Sequence, residues 1–133
     1  VTPIKVLLAD DHPIVREGLR AYLSTQKTLA IVGEASNGMD VLDKTGSLAP
    51  DIVLMDIAMP GLNGIETTRH LHASGSEVRV LILSVHDERE YLLESFRAGA
   101  RGYLLKDSAP SDVIRAIEAV HAGDPFYTVG TAR

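Results

Sequence analysis

A chain of 133 residues is the size of one ordinary domain and too short for two separate cores. Its 45% hydrophobic and 23% charged residues match a folded globular protein and exclude a disordered tail. There is no cysteine, which removes disulfides and thiolate metal sites, and a net charge of -5 opposes binding to a phosphate backbone.

Ile4 to Ala9 is a short apolar run of strand formers, and Pro13 then sits where the first turn of a helix accepts it. In that helix Ile14, Val15, Leu19, Tyr22 and Leu23 recur at helical spacing, so one buried face is expected. Leu29 to Ala35 reads as a second strand, Asn37-Gly38 as a turn, and Met39, Val41 and Leu42 as the start of a weaker helix ending near Gly46. Pro50 precedes a third strand, Asp51 to Met55, and a loop with Pro60, Gly61 and Gly64 leads to a helix carrying Ile65 and Leu71. Val78 to Leu83 is a fourth strand, and Glu88 to Ala98 a helix closed by Gly99. Gly102 to Leu105 is a short fifth strand, and a last helix from about Ser111 carries Val113, Ile114, Ile117 and Val120.

Nearly all-apolar strands alternating with helices predict an α/β fold, doubly wound, with a five-stranded parallel sheet covered by helices on both faces. Phe126 to Arg133 has no periodicity, so residues 1–122 read as the domain and 123–133 as the start of a linker. The longest apolar runs, Val6 to Ala9 and Ile52 to Met55, are far too short to cross a bilayer, and a soluble cytoplasmic setting is expected. A start at Val1 without methionine suggests a piece of a larger protein.

In an open parallel sheet, ligands bind outside the carboxyl ends of the strands. The first strand ends in Asp10 and Asp11, the third in Asp56, the fourth in Ser84 and the fifth in Lys106. Three carboxylates brought together repel one another unless a cation neutralises them. An all-oxygen ligand set favours Mg2+ (or Mn2+) over zinc. Such a metal bridging Asp11 and Asp56 leaves one Asp56 oxygen free as a nucleophile, while Lys106 and the Ser84 hydroxyl are placed to bind phosphoryl oxygens.

Taken singly, these residues are ordinary. An isolated Asp10-Asp11 pair reads as a solvated turn and helix cap, Lys106 as a surface charge, and Ser84 as a strand-end hydroxyl. Only their convergence carries the chemistry. His12 invites a reading as a metal ligand or phosphohistidine, but an imidazole just before a helix is usually an exposed loop residue, and it stands outside the site, while Pro60, Gly61 and Gly64 read as turn residues. Tyr103 alone reads as a half-buried aromatic with a satisfied hydroxyl.

The combination of Leu8-Ala9-Asp10-Asp11-His12-Pro13, the run from Val53 through Asp56 and Pro60 to Gly64, then Ser84 and Gly102-Tyr103-Leu104-Leu105-Lys106 resembles receiver domains of two-component signalling, NarL/FixJ (LuxR-type) above all. The resemblance covers roughly residues 4 to 122. It implies a flavodoxin-like receiver fold with strand order 2-1-3-4-5 and five helices. It also implies Asp56 as phosphoacceptor, Asp10, Asp11, Asp56 and the Ala58 backbone carbonyl around Mg2+, and Lys106 as phosphate partner. Ser84 and Tyr103 are implied as switch residues relaying to the surface of the fourth helix, fifth strand and fifth helix. The implied partners are a histidine kinase, a second copy on phosphorylation, and DNA through a C-terminal helix-turn-helix that these residues do not contain; no membrane is implied. On this reading the chain is a regulatory phosphoacceptor that controls transcription and catalyses only its own phosphorylation and dephosphorylation.

Two features depart from the family pattern. Asp107, not proline, follows Lys106, and Ala58 and His86 stand two residues beyond Asp56 and Ser84, where the resemblance places control of phosphoryl lifetime. Rival functions fail on named residues. A dinucleotide module needs a glycine-rich turn where Asp10 and Asp11 stand. An aspartyl phosphatase commonly has a second acid where Ala58 stands, and a flavodoxin-like electron carrier needs a phosphate-cradling loop. The remaining alternative is a receiver-like interaction module that works without phosphorylation.

Overall fold

In the computed structural model, which describes residues 2–127, strand and helix alternate along the chain. The elements are β1 (Ile4–Ala9), α1 (Pro13–Leu23), β2 (Leu29–Ala35), α2 (Gly38–Leu48), β3 (Ile52–Met55), α3 (Gly64–Ala73), β4 (Arg79–Ser84), α4 (Arg89–Ala98), β5 (Gly102–Leu105), α5 (Pro110–His121) and β6 (Phe126–Tyr127). All pairings are parallel and the order is β2-β1-β3-β4-β5-β6. This is the expected doubly wound sheet with one added strand.

Because strand side chains alternate between faces, the central strands feed two separate cores. Val6, Leu8, Ile52, Leu54, Leu81, Leu83 and Leu104 pack with Leu23 of α1 and Val113, Ile117 and Val120 of α5. Leu7, Val53, Met55, Ile82 and Tyr103 pack on the other side with Val41 of α2, Leu71 of α3 and the partly buried Tyr91 and Phe96 of α4. Continuous apolar strands are therefore required, since neither face meets water.

The structure departs from the sequence expectation in two places. The periodicity predicts five strands, yet Phe126 and Tyr127 pair with Gly102 and Tyr103 as a sixth, inside the segment that reads as linker. Two residues are too few to generate a periodic signal; residues 128–133 of that segment lie outside the described residues. The buried face expected of α1 is also narrower, since Ile14 is 84% exposed and Tyr22 is exposed too. At 3.6 residues per turn, Val15, Leu19 and Leu23 form one stripe, whereas Ile14 lies about 140° from its centre and Tyr22 about 60° to one side.

Candidate functional site

The ends of β1, β3 and β5 bring the predicted charges together because the strands run in register. Leu8 pairs with Leu54 and Ala9 with Met55, so Asp10 and Asp56, the next residues, emerge side by side. The Asp56 amide donates to the Ala9 carbonyl at 2.9 Å and continues the ladder. Across the sheet, Lys106 follows β5, its amide donating to the Ser84 carbonyl at 2.7 Å.

The Lys106 ammonium reaches both acids. Nζ lies 2.8 Å from Asp10 Oδ2 and 3.0 Å from Asp56 Oδ2, and the two carboxylates are 5% exposed. Asp10 is bound further by His12, whose backbone N–H donates to Oδ1 at 2.9 Å and whose Nδ1 lies 2.7 Å from the same oxygen. Asp56 has less help, with one long contact to Oδ1 from the Ala58 amide at 3.4 Å.

This asymmetry sets the protonation of the pair. Burial raises the pKa of both acids, but in Asp10 the bonds from Lys106 and His12 outweigh it and the net direction is downward. In Asp56 burial, reinforced by the negative charge of Asp10, outweighs Lys106 and the net direction is upward. Burial works against the Lys106 charge, yet its bonds to Asp10 and Asp56 raise its pKa, so it stays an ammonium.

Asp11 completes the acidic group. Its Oδ1 is buried without a hydrogen bond; His12 Nδ1 is 3.1 Å away, close enough for an ion pair but without bonding geometry. A carboxylate oxygen shielded from solvent and without a hydrogen-bond donor fits a bound cation, because a buried polar atom left without a partner is costly. Ligand atoms of Asp10, Asp11, His12 and Asp56 all lie within 4.8 Å of one another.

Ser84, predicted beside this group, is buried at the end of β4, and its Oγ accepts from the His86 amide at 3.0 Å. Tyr103 is fully buried, and its hydroxyl donates to the His86 carbonyl at 2.8 Å. Burial raises the Tyr103 pKa against an opposing hydrogen bond with the Ser84 side chain, with Glu88, Tyr91 and Asp87 adding to the rise, so the hydroxyl remains a neutral donor. The two predicted switch residues thus grip opposite ends of one residue, whose ring stacks on Tyr91 with centroids 4.0 Å apart.

Two residues set aside in the sequence belong with the site. His12, a loop residue by its position, turns into the acidic group because the Asp10 carboxylate accepts its amide two residues on, an Asx-type turn that the Asp10 spacing could have signalled. Gly64 reads as a turn residue beside Gly61, but only Gly61 has the left-handed backbone of one, with φ 73°. A Cβ on Gly64 would collide with the Asp56 carbonyl oxygen and lie 2.9 Å from Ile57 Cα. Its lack of a side chain lets the start of α3 press against the β3–α3 loop, fixed by the Asn63–Glu66 capping box.

The family model for the response regulator receiver domain matches residues 6–118. The chain belongs to this family. Response regulator UvrY of Escherichia coli strain K12 is 43% identical over 130 residues, 98% of this chain and 60% of that protein. The nitrate/nitrite response regulator NarL of the same strain is 39% identical over 122 residues, 92% of this chain and 56% of that protein. A LuxR-family two-component response regulator from Aurantimonas sp. SI85-9A1 shares the fold with a TM-score of 0.90 at 38% identity, covering 97% of this chain and 91% of that one. The receiver is thus of the NarL/FixJ, or LuxR, type. It spans about 60% of the length of the curated relatives it matches.

Among the described residues no helix is long and apolar enough to cross a membrane.

Proposed function

We propose that this receiver accepts a phosphoryl group from a histidine kinase onto Asp56 and changes shape to control a DNA-binding output domain reached through the segment after residue 122. The reading rests on one observation above the rest, the Lys106 ammonium bridging Asp10 and Asp56 beside an Asp11 oxygen that has no hydrogen-bond donor. An Asp56 oxygen attacks phosphorus, the bond from phosphorus to the donor nitrogen breaks, and the imidazole leaves with the electron pair. Asp10, Asp11, Asp56 and the Ala58 carbonyl would hold Mg2+, which supplies charge neutralisation for the phosphoryl oxygens when bound.

Phosphorylation then sets up a competition for bonds. The new phosphoryl oxygens offer Lys106 and the Ser84 hydroxyl acceptors that the unmodified state lacks, and only such differential contacts shift an equilibrium. If Ser84 turns to the phosphoryl group, it ceases to hold the His86 amide, and the Tyr103 hydroxyl loses the fixed position of its His86 acceptor. The change then reaches the surface formed by α4, β5 and α5. Cytoplasmic location and transcription control belong to this same reading.

Intact mass before and after exposure to a small phosphodonor with Mg2+ tests it. The wild type gains one phosphoryl group that hydroxylamine removes, as it does from an acyl phosphate, and Asp56→Ala gains none. Undiminished labelling of Asp56→Ala overturns the assignment, and failure of the wild type to label favours the phosphorylation-independent interaction module.

A further inference from the structure

We infer that His12 is an additional ligand of the acidic site, through Nδ1, which turns the site from one suited to hard cations such as Mg2+ into one that prefers borderline divalent cations such as Co2+ and Zn2+. The inference rests on the reading of Asp10, Asp11 and Asp56 as a cation site.

The geometry carries it. His12 Nδ1 lies 2.7 Å from Asp10 Oδ1, 3.1 Å from Asp11 Oδ1 and 3.9 Å from Asp56 Oδ2. Ligands at about 2.0–2.1 Å from an octahedral ion are about 2.9 Å apart when adjacent and about 4.2 Å when opposite. The nitrogen therefore already sits at ligand spacing from three carboxylates. It is held there by the backbone bond from the His12 amide to Asp10, so little chain ordering remains to be lost on binding. The imidazole side chain is 58% exposed, which leaves the other ring nitrogen able to carry the proton toward solvent while Nδ1 binds.

The chemistry sets the class of ion. Mg2+ is a hard cation that takes oxygens and keeps its waters, and it gains little from an imidazole. Imidazole suits Zn2+, Co2+ and Ni2+, and their affinities for a mixed nitrogen and oxygen site rise along the first-row series well above that of a hard ion. One nitrogen among three carboxylates thus separates the two classes.

Calorimetric titration of the unphosphorylated chain with Mg2+ and, separately, Co2+ tests this, alongside His12→Ala and His70→Ala, an exposed histidine on α3 as control. The expected result is that His12→Ala weakens Co2+ binding about tenfold or more, the cost typical of losing a residue that supports a metal. Mg2+ affinity stays within about twofold, as expected for an oxygen-bound ion. His70→Ala behaves as the wild type with both ions. On Zn2+ addition to histidine-labelled protein, the nitrogen resonance of His12 Nδ1 should shift. Mg2+ binding accompanied by Co2+ binding that ignores His12→Ala overturns this inference alone. Absence of binding by either cation overturns the acidic-site reading and the inference with it.

Discussion

At the carboxyl ends of β1, β3 and β5 the receiver buries charge, while along the outer side of β5 it packs partly exposed rings. The first region packs Asp10, Asp56 and Lys106 into one nearly dry cluster. In the second, the two residues of β6 face opposite ways. Phe126 joins the α5 side, with the Arg115 guanidinium 5.9 Å from its ring centre, and Tyr127 meets Phe96 of α4 edge-on at 5.8 Å. Burying rings stabilises a fold wherever they fit, whereas buried ions roughly break even against apolar residues of the same shape. The charged edge is thus explained by what it does, and the β6 edge by what it holds. Cations and pH should move the first and leave the second alone.

The largest effect on stability is expected from Lys106→Ala. It leaves two buried carboxylates facing each other without their shared cation, a loss of roughly 3 kcal/mol by analogy with broken buried pairs. Urea denaturation with and without Mg2+ would show the deficit shrinking when the ion is present. A deficit of the same size in both conditions would mean that Lys106 and the ion do not share the carboxylates. The variant should still accept a phosphoryl group to some extent, since Asp56 supplies the nucleophile, but with a reduced conformational response.

Gly64→Ala comes next, at roughly 2 kcal/mol, the usual cost of forcing a methyl into a packed site. Its Cβ would push on the Asp56 carbonyl, so the same substitution should also slow phosphorylation by a small phosphodonor. Loss of stability at an unchanged phosphorylation rate would show that the backbone of Asp56 does not feel α3.

These two positions also mark how far the sequence is legible. Lys106 is readable because strand-end residues of a parallel sheet converge whatever lies between them, and Asp10, Asp11 and Asp56 are readable for the same reason. Gly64 is recognisable as a glycine but not in its role, because close approach of two backbones leaves no local pattern. His12 can be weighed as a ligand from the sequence but not placed, because its direction depends on one Asx-type bond. The exposure of Ile14 is open to angular arithmetic, whereas β6 is not, since two residues can be a strand only when an edge is waiting for them. The two-core arrangement comes directly from strands without polar alternation.

On the ring-lined side, Phe126→Ala should cost about 1–2 kcal/mol, less than a fully buried aromatic because Phe126 is only partly covered. Mg2+ should not alter that cost. Hydrogen exchange should quicken along β5 and β6 while the Asp56 amide, bonded to the Ala9 carbonyl, keeps its protection. A Mg2+-dependent cost would show that the charged and ring-lined regions are coupled already in the unphosphorylated state.

The smallest effect is expected from Asp56→Asn, and its sign is the informative part. The folded pKa of Asp56 is raised above the ordinary value of 3.8, by burial first and by Asp10 after it. A carboxyl raised in this way penalises the fold in full at any pH above its folded pKa, where it is ionised in both states. The penalty is relieved as pH falls through that raised folded pKa and is gone below 3.8, where it is protonated in both. Asn keeps the shape and removes the charge, and Lys106 retains Asp10 as its partner. Asp56→Asn should therefore be more stable than the wild type at pH 7 without Mg2+. Its advantage should shrink as the solution is acidified toward about pH 4, near the ordinary carboxylate value. Asp10 shifts the other way, and its stabilisation is lost only as pH falls through its lowered folded pKa, below 3.8, in both proteins, so the difference between them isolates Asp56. Saturating Mg2+ should erase the advantage at neutral pH by stabilising only the wild-type carboxylate. Chemical denaturation at a series of pH values measures all three, and a wild type more stable than Asp56→Asn at pH 7 without the ion would mean that Lys106 more than offsets the burial of the second carboxylate.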